Sequence, residues 1–154
     1  TFVGGKSHLT FDAFTGDFKG SLSNGFSNVS FSSDSSVVLK GAVESDLRFT
    51  SVWNLAIGSA TDVLLDWSKA TKALNSFKGD TINLTFDGSY ALSGSKVLMD
   101  FGGDANLLTG WDSATVTLGG SAMTYNSDNK YYSDGSYKLY VDTTDGSKLM
   151  LASM

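Results

Sequence analysis

The chain has 154 residues, of which 41% are hydrophobic and 18% charged, and it contains neither proline nor cysteine. This length predicts one domain with a core large enough to need no disulfide or structural zinc. The net charge is −5, and the ten lysines and one arginine, Arg48, are scattered singly along the chain. We therefore expect no nucleic-acid partner and no attraction to anionic lipid, because both need clustered cations.

Short alternations of apolar and polar residues, separated by turn residues, recur along the chain and are typical of β-strands. In chain order they cover residues 9–14, 18–22, 29–31, 37–43, 47–57, 63–67, 82–86, 97–101, 114–118, 137–141 and 149–151. Only Ser68–Ser76 has helical spacing, with Ser68 as its N-cap. The acidic residues are fifteen Asp and one Glu, which favours turns over helices. The sequence predicts an all-β fold.

Two arrangements of these strands remain open, a parallel β-solenoid and a β-sandwich. A recurring sequence motif favours the solenoid. It consists of an apolar residue, a spacer, a glycine and an aspartate, which would place a buried side chain before each turn. It occurs at Phe14–Asp17, at Phe77–Asp80 and, more loosely, at Leu108–Asp112. Strands at 8–12-residue spacing also fit a sandwich. We predict solenoid turns over 1–120 and a cap of antiparallel hairpins over 121–154, where Asp-Gly pairs supply tight turns.

The alternation also predicts which side chains form the core, because a strand sends every second side chain to the same face. We expect one shared core. Its predicted members are Phe11, Phe31, Leu39, Phe49, Leu65, Leu84, Phe86, Leu98 and Val116.

Few residues offer catalytic or metal chemistry. Glycoside hydrolysis needs two carboxyl groups, and the Asp pairs closest in sequence are Asp62 with Asp66 and Asp100 with Asp104. The only histidine, His8, lies among Gly and Ser near the start, where a solvated loop is expected, and Arg48 lies within a strand pattern. Neither a nucleophile motif nor a phosphate loop is present. We therefore expect a non-enzymatic protein without a cofactor, and a glycan-cleaving Asp pair is the weaker alternative.

One turn is a candidate calcium site, since Asp142 and Asp145 bracket a short polar stretch before Gly146. A hairpin turn explains the same residues, because Asp side chains bond nearby backbone groups in turns.

Tyrosines cluster near the C-terminus. They are Tyr125, Tyr131, Tyr132, Tyr137 and Tyr140, and Asn126, Asp128 and Asn129 lie among them. Tyrosine rings stack on sugar faces and Asn or Asp binds hydroxyl groups, so the region 125–140 is a candidate glycan or partner site, above all Tyr125, Asn126, Tyr131, Tyr132 and Tyr137. Cross-strand tyrosine pairs that stabilise hairpins are the structural alternative.

The runs Phe14–Leu39, Phe77–Leu84 and Leu108–Val116, with the closing Tyr137–Leu151, resemble the repeats of autotransporter-type passenger domains and of long repetitive bacterial surface adhesins. The resemblance implies a right-handed parallel β-helix exported to the surface of Gram-negative bacteria. It also implies a stalk or adhesin whose partner is a host or bacterial surface glycan or protein.

Three expectations accompany this interpretation. A β-sandwich carbohydrate-binding module that uses residues 125–140 is the alternative function. No apolar run approaches the roughly 20 residues that cross a bilayer, so membrane insertion by this segment is not expected. We expect a monomer, with any self-association through the N-terminal edge around Gly4–Ser7, because unpaired strand edges attract further strands.

Overall fold

The computed structural model describes residues 8–19, 26–42, 49–60, 63–68, 70–71, 76–103 and 106–154. These residues form β-strands in two mixed sheets and two 3-10 helices of three residues each, Asn106–Leu108 and Trp111–Ser113. The predicted all-β class is therefore confirmed. No helix among the described residues has the length and apolar character needed to cross a membrane.

The strands are named in chain order. The first nine are β1 (His8–Phe11), β2 (Thr15–Lys19), β3 (Asn28–Phe31), β4 (Ser36–Ala42), β5 (Val52–Ile57), β6 (Leu65–Asp66), β7 (Ala70–Thr71), β8 (Thr81–Phe86) and β9 (Ser95–Asp100). The last six are β10 (Thr115–Leu118), β11 (Ser121–Ala122), β12 (Thr124–Asn126), β13 (Tyr131–Ser133), β14 (Tyr137–Asp142) and β15 (Lys148–Ser153).

Each sheet begins with a parallel ladder and ends with antiparallel strands. The first sheet has the order β1-β3-β5-β8-β10-β11, and all its pairs except the last are parallel. In the second sheet β2-β4-β6-β9 pair in parallel, and β15, β14, β13 and β12 continue it as antiparallel strands. Strand β7 pairs with β4 beside this path. Antiparallel pairing from Ser121 onward therefore agrees with the predicted hairpins.

The core lies between the two sheets and follows the predicted alternation. Strand β5 alternates half-buried and buried side chains along its length. Eight of the nine predicted core residues are buried in one cluster, and the ninth, Phe86, is partly buried and packs against it. Because these side chains come from both sheets, burial of their apolar surface holds the sheets together.

Aromatic side chains follow one another along one corner between the sheets, and we call them the aromatic row. Neighbouring ring centroids lie 5.0–6.0 Å apart. The row consists of Phe26, Phe49, Trp53, Trp67, Phe77, Phe101, Trp111, Tyr132 and Tyr125. The Trp53 indole N–H donates to the buried Asp80 carboxylate at 3.1 Å, which gives that polar group a partner inside the corner.

On the face of the first sheet that points away from the core, hydrogen-bonding side chains form a polar row across successive strands. Asn54 donates its amide to Asn28, Asn83 donates to Asn54 at 3.0 Å, and the Thr117 hydroxyl donates to Asn83 at 2.9 Å. Asn54, Asn83 and Thr117 are direct register partners in β5, β8 and β10. The row therefore links four parallel strands through their side chains as well as their backbones.

Three local predictions need correction. The helix expected over Ser68–Ser76 is wrong where the structure describes it, because Ala70 and Thr71 form β7 and pair with β4. Residues 69 and 72–75 lie outside the described residues. His8 lies in β1 rather than in a loop, although its side chain is exposed as expected.

The recurring sequence motif has the predicted structure at one of its three occurrences. The Phe77 side chain is buried and is followed by a turn at Gly79, as predicted. Phe14 and Leu108 are each 38% exposed, and Gly16 and Asp17 lie within β2 instead of in a turn. At the third occurrence, Trp111 takes the inward position that Leu108 was expected to fill.

Candidate functional site

The tyrosines of the region 125–140 do not share one surface. Tyr132 is buried, and Tyr125 and Tyr137 are partly buried and pack against the core, so these three lie on the inward faces of their strands, while part of Tyr125 stays exposed. Tyr131 and Tyr140 are direct cross-strand partners on the outward face of β13 and β14. The Lys138 ammonium lies 5.6 Å and 5.2 Å from their ring centroids. Strand alternation therefore separates the predicted platform into an inner and an outer group.

Asn126 shapes a turn between β12 and β13. Its side-chain oxygen accepts the backbone N–H groups of Asp128 and Asn129 at 3.1 Å and 2.9 Å. Its backbone carbonyl accepts the N–H of Lys130 at 2.8 Å, and Lys130 has a left-handed φ of 57°. The predicted binding residue Asn126 thus uses its oxygens to fix the loop that carries Ser127 and Lys130.

A surface cleft of about 270 Å³ lies beside this loop, and we call it the Tyr125 cleft. It forms where the turn before β10 meets the β12–β13 hairpin, two segments that are separate in the sequence. Its lining residues are Leu108, Trp111, Asp112, Tyr125, Ser127 and Lys130. Of these, sequence reasoning identified only Tyr125 as a site residue. Ser127 and Lys130 lie within the predicted region 125–140 but were not singled out there. Leu108, Trp111 and Asp112 come from the turn before β10, which was interpreted as structural, and no sequence signal linked that turn to the tyrosines.

Hydrogen bonds hold the floor of the cleft in place. The Trp111 indole N–H donates to the Lys130 carbonyl at 3.2 Å and so joins the two segments. The Tyr132 hydroxyl lies 2.8 Å from the carbonyl oxygen of Trp111 and 2.7 Å from that of Ala114, so its proton is shared between them. The cleft therefore rests on rigid supports.

The rim of the cleft carries unpaired polar groups. Within the described part of the chain, no hydrogen bond or ion pair engages the Asp112 carboxylate or the Lys130 ammonium. Partial burial, together with the nearby Asp112 carboxylate, raises the pKa of Tyr125 above its ordinary value. A carboxylate, an ammonium, the Ser127 hydroxyl and an aromatic ring thus surround one small space that is open to solvent.

The buried hydroxyl of Tyr132 predicts an alkaline loss of stability. Burial, with the nearby Tyr125 and Asp112, raises the pKa of Tyr132 from 10.0 to about 12. Between these values the unfolded chain releases its proton while the folded chain keeps it, so stability is complete below pH 10 and falls towards pH 12. The full loss is on the order of 2–3 kcal/mol. Urea unfolding from pH 8 to 12 measures it.

Tyr132→Phe is the matched control for this titration. The variant keeps the ring but removes the ionisable group, so its free energy of unfolding should fall less steeply above pH 10. The pKa values of Tyr125 and Tyr140 are also raised by burial, so both proteins should keep a smaller decrease of the free energy of unfolding with pH. Parallel pH profiles for the two proteins would contradict the assignment.

A second cleft of about 440 Å³ lies between β9 and the turn after β5, with Tyr90, Leu92 and Val97 in its lining. Its cation is already engaged, since the Lys96 ammonium donates to the carbonyls of Gly58, at 2.9 Å, and of Ala60. Burial lowers the pKa of Lys96, and the nearby Asp87 opposes that shift. Lys96 thus fastens the turn to β9.

The predicted Asp pairs are described only in part, because Asp62 and Asp104 lie outside the described residues, as does Arg48. Asp66 and Asp100 are register partners on β6 and β9. The Asp66 carboxylate accepts the N–H of Ser68 at 3.0 Å, and that of Asp100 accepts the N–H of Gly102 at 2.9 Å. Both carboxylates therefore cap the turns that follow their strands.

The calcium candidates lie in the β14–β15 hairpin. The Asp142 carboxylate accepts the N–H of Thr144 at 2.9 Å, and this bond lowers its pKa. The Lys148 ammonium donates to the Asp145 carbonyl at 2.7 Å. Among the described residues, no group of three or more His, Cys, Asp or Glu side chains is placed to hold a metal ion. The contacts are those of a hairpin turn.

Comparison of the chain with protein-family models, with curated proteins and with solved structures returned no match.

Proposed function

We propose that this chain is a non-enzymatic segment of a secreted bacterial protein, displayed at the cell surface, where it acts as a stalk or an adhesin. In this proposal the two sheets are walls of a right-handed parallel β-helix. The antiparallel strands from Ser121 onward close its C-terminal end.

The observation that carries the proposal is the alternation of strands between two parallel ladders. Strands β1, β3, β5, β8 and β10 stack in one sheet, while β2, β4, β6 and β9 stack in the other. Each pass of the chain thus adds one strand to each sheet. Five strands at about 4.8 Å spacing extend the first ladder over about 19 Å. Sandwiches are built from antiparallel hairpins, so this pattern favours the β-helix.

The side-chain rows support the same interpretation. The polar row places Asn54, Asn83 and Thr117 at equivalent positions of successive strands, and each hydrogen bonds to the next. The aromatic row repeats along one corner in the same way. Repeated side chains at equivalent positions are expected when each turn of a solenoid packs only on its neighbours. Stability then arises without disulfides, which suits a cysteine-free protein exposed outside the cell.

Carbohydrate binding is a second candidate function, and the Tyr125 cleft favours it. A partly exposed aromatic ring with hydrogen-bonding groups beside it is what a sugar-binding surface needs, and the cleft offers Tyr125, Asp112 and Lys130 together. Such a cleft does not require a sandwich and is compatible with an adhesin.

The proposal predicts that antibodies raised against the purified chain label intact source bacteria. Labelling is measured by flow cytometry, with an antibody against a cytoplasmic protein as the control that stains only permeabilised cells. Fab fragments should reduce attachment of the bacteria to surfaces if the segment is an adhesin, and leave attachment unchanged if it is a stalk. Labelling confined to permeabilised cells would refute surface display.

A further inference from the structure

The Tyr125 cleft has the size and the chemistry to take one sugar ring. Its volume of about 270 Å³ lies just below the ~300 Å³ at which small-molecule sites begin. A space of this size suits one pyranose ring, and the cleft is open to solvent. The exposed Leu108 adds an apolar surface beside the Tyr125 ring.

The polar groups of the rim match the hydroxyl groups of a neutral sugar. The Asp112 carboxylate only accepts hydrogen bonds, the Lys130 ammonium only donates them, and the Ser127 hydroxyl does both. Adjacent hydroxyls of a pyranose satisfy acceptor and donor at once. Hydrogen bonds to charged groups are stronger than those between neutral groups. An anionic sugar would meet the Asp112 carboxylate and a chain of net charge −5, which disfavours it.

The loop that carries two of these groups is fixed before any ligand arrives. Lys130 is held with a φ of 57° by bonds from its own N–H to Asn126 and from Trp111 to its carbonyl. Non-glycine residues adopt this conformation only when their surroundings impose it. A rigid rim loses little conformational entropy on binding, which favours affinity from a small number of contacts.

We propose that the Tyr125 cleft binds one neutral pyranose residue at the end of a glycan, with its apolar face against Tyr125 and Leu108 and its hydroxyls on Asp112 and Lys130. This inference rests on the proposed function for its biological role, and it names the class of ligand that the chain would bind at the cell surface. The affinity of a single ring should be weak, with a Kd of a few millimolar, since so small a ligand makes few contacts.

The test is an NMR titration of the full ¹⁵N-labelled chain with methyl glycosides of glucose, galactose, mannose and N-acetylglucosamine, and with methyl glucuronide as the anionic arm. At least one neutral glycoside should give saturable shifts centred on Asp112, Tyr125, Ser127 and Lys130. Glucuronide should bind at least tenfold more weakly than that glycoside. No saturable shift with any neutral glycoside up to about 50 mM, which is roughly tenfold or more above the expected Kd, would overturn the proposal, as would preferred binding of glucuronide.

Variants assign the binding to the cleft. Asp112→Asn and Tyr125→Ala should each weaken binding tenfold or more, the former because it removes a charged hydrogen-bond acceptor. Asp12→Asn, at an exposed carboxylate beyond β1, and Tyr131→Ala, on the outward face, are matched controls that should bind as the unmodified chain does. Because Tyr125 contacts Tyr132, Tyr125→Phe keeps the ring in place and should retain most of the binding. Equal affinity in all five variants would refute the site.

This outcome is separable from that of the surface display. If intact bacteria are labelled but the cleft binds no sugar, the stalk function stands and the sugar site is refuted. If the cleft binds sugar but only permeabilised cells are labelled, the sugar site stands and surface display is refuted.

Discussion

Gly146→Ala should lower the free energy of unfolding by at least about 3 kcal/mol. Gly146 lies in the β14–β15 hairpin with a φ of 78°, where an L-residue is strained by about 1–2 kcal/mol. A Cβ atom there would lie 2.6 Å from the carbonyl oxygen of Gly102, which accepts the N–H of Ser147 at 2.5 Å. The backbone must move to relieve the contact, and this hydrogen bond between the hairpin and the turn after β9 is then lost.

Gly135→Ala is the matched control for this prediction. Gly135 lies in the neighbouring hairpin with a φ of 95°, but nothing lies within 4 Å of the position of its Cβ. The control should therefore lose only about 1–2 kcal/mol from backbone strain. Urea unfolding of both variants measures the difference, and equal losses would show that the Gly102 contact is unimportant.

Trp111→Ala should be comparably destabilising, by about 3–5 kcal/mol, because it removes a large buried side chain and leaves a cavity. Trp111 is 1% exposed, and its ring lies 5.5 Å from that of Phe77 and 5.1 Å from that of Tyr132. It also provides the N–H that links the turn before β10 to Lys130. Thermal and urea unfolding should both show the loss.

Two further variants separate packing from hydrogen bonding at this position. Trp111→Phe keeps an aromatic ring and loses the indole N–H, so we expect a loss of about 1–3 kcal/mol. Leu108→Ala changes an exposed neighbour in the same cleft and should stay within about 0.5 kcal/mol of the unmodified chain. A loss below 1 kcal/mol in Trp111→Ala would contradict the role of Trp111 as the support of the cleft.

Alternation made the strands and the core predictable from the sequence. In β5 the pattern of Trp53, Leu55 and Ile57 between polar or small residues matches the observed burial. The helix at Ser68–Ser76 was predicted from the same kind of evidence and failed, because pairing of Ala70 and Thr71 with β4 outweighs weak local helix propensity. Local sequence does not contain that distant partner.

The candidate site was less predictable than the fold. Alternation places Tyr131 and Tyr132 on opposite faces, but the sequence does not show which face meets the core, so the predicted platform included both. Asp112 and Tyr125 meet only because the turn before β10 and the β12–β13 hairpin pack together through Trp111 and Tyr132. Such a juxtaposition depends on the tertiary structure, and neither segment carries a motif that announces it.

The aromatic row has an optical consequence. All three tryptophans of the chain belong to it, and each is buried. Trp53 and Trp67 both contact the ring of Phe49, at 5.9 Å and 5.2 Å between centroids, and Trp111 follows beyond Phe77. Tryptophan emission and the near-ultraviolet circular dichroism of the indoles therefore report on this one corner of the protein, and the polar row on the far face of the first sheet is silent in both signals.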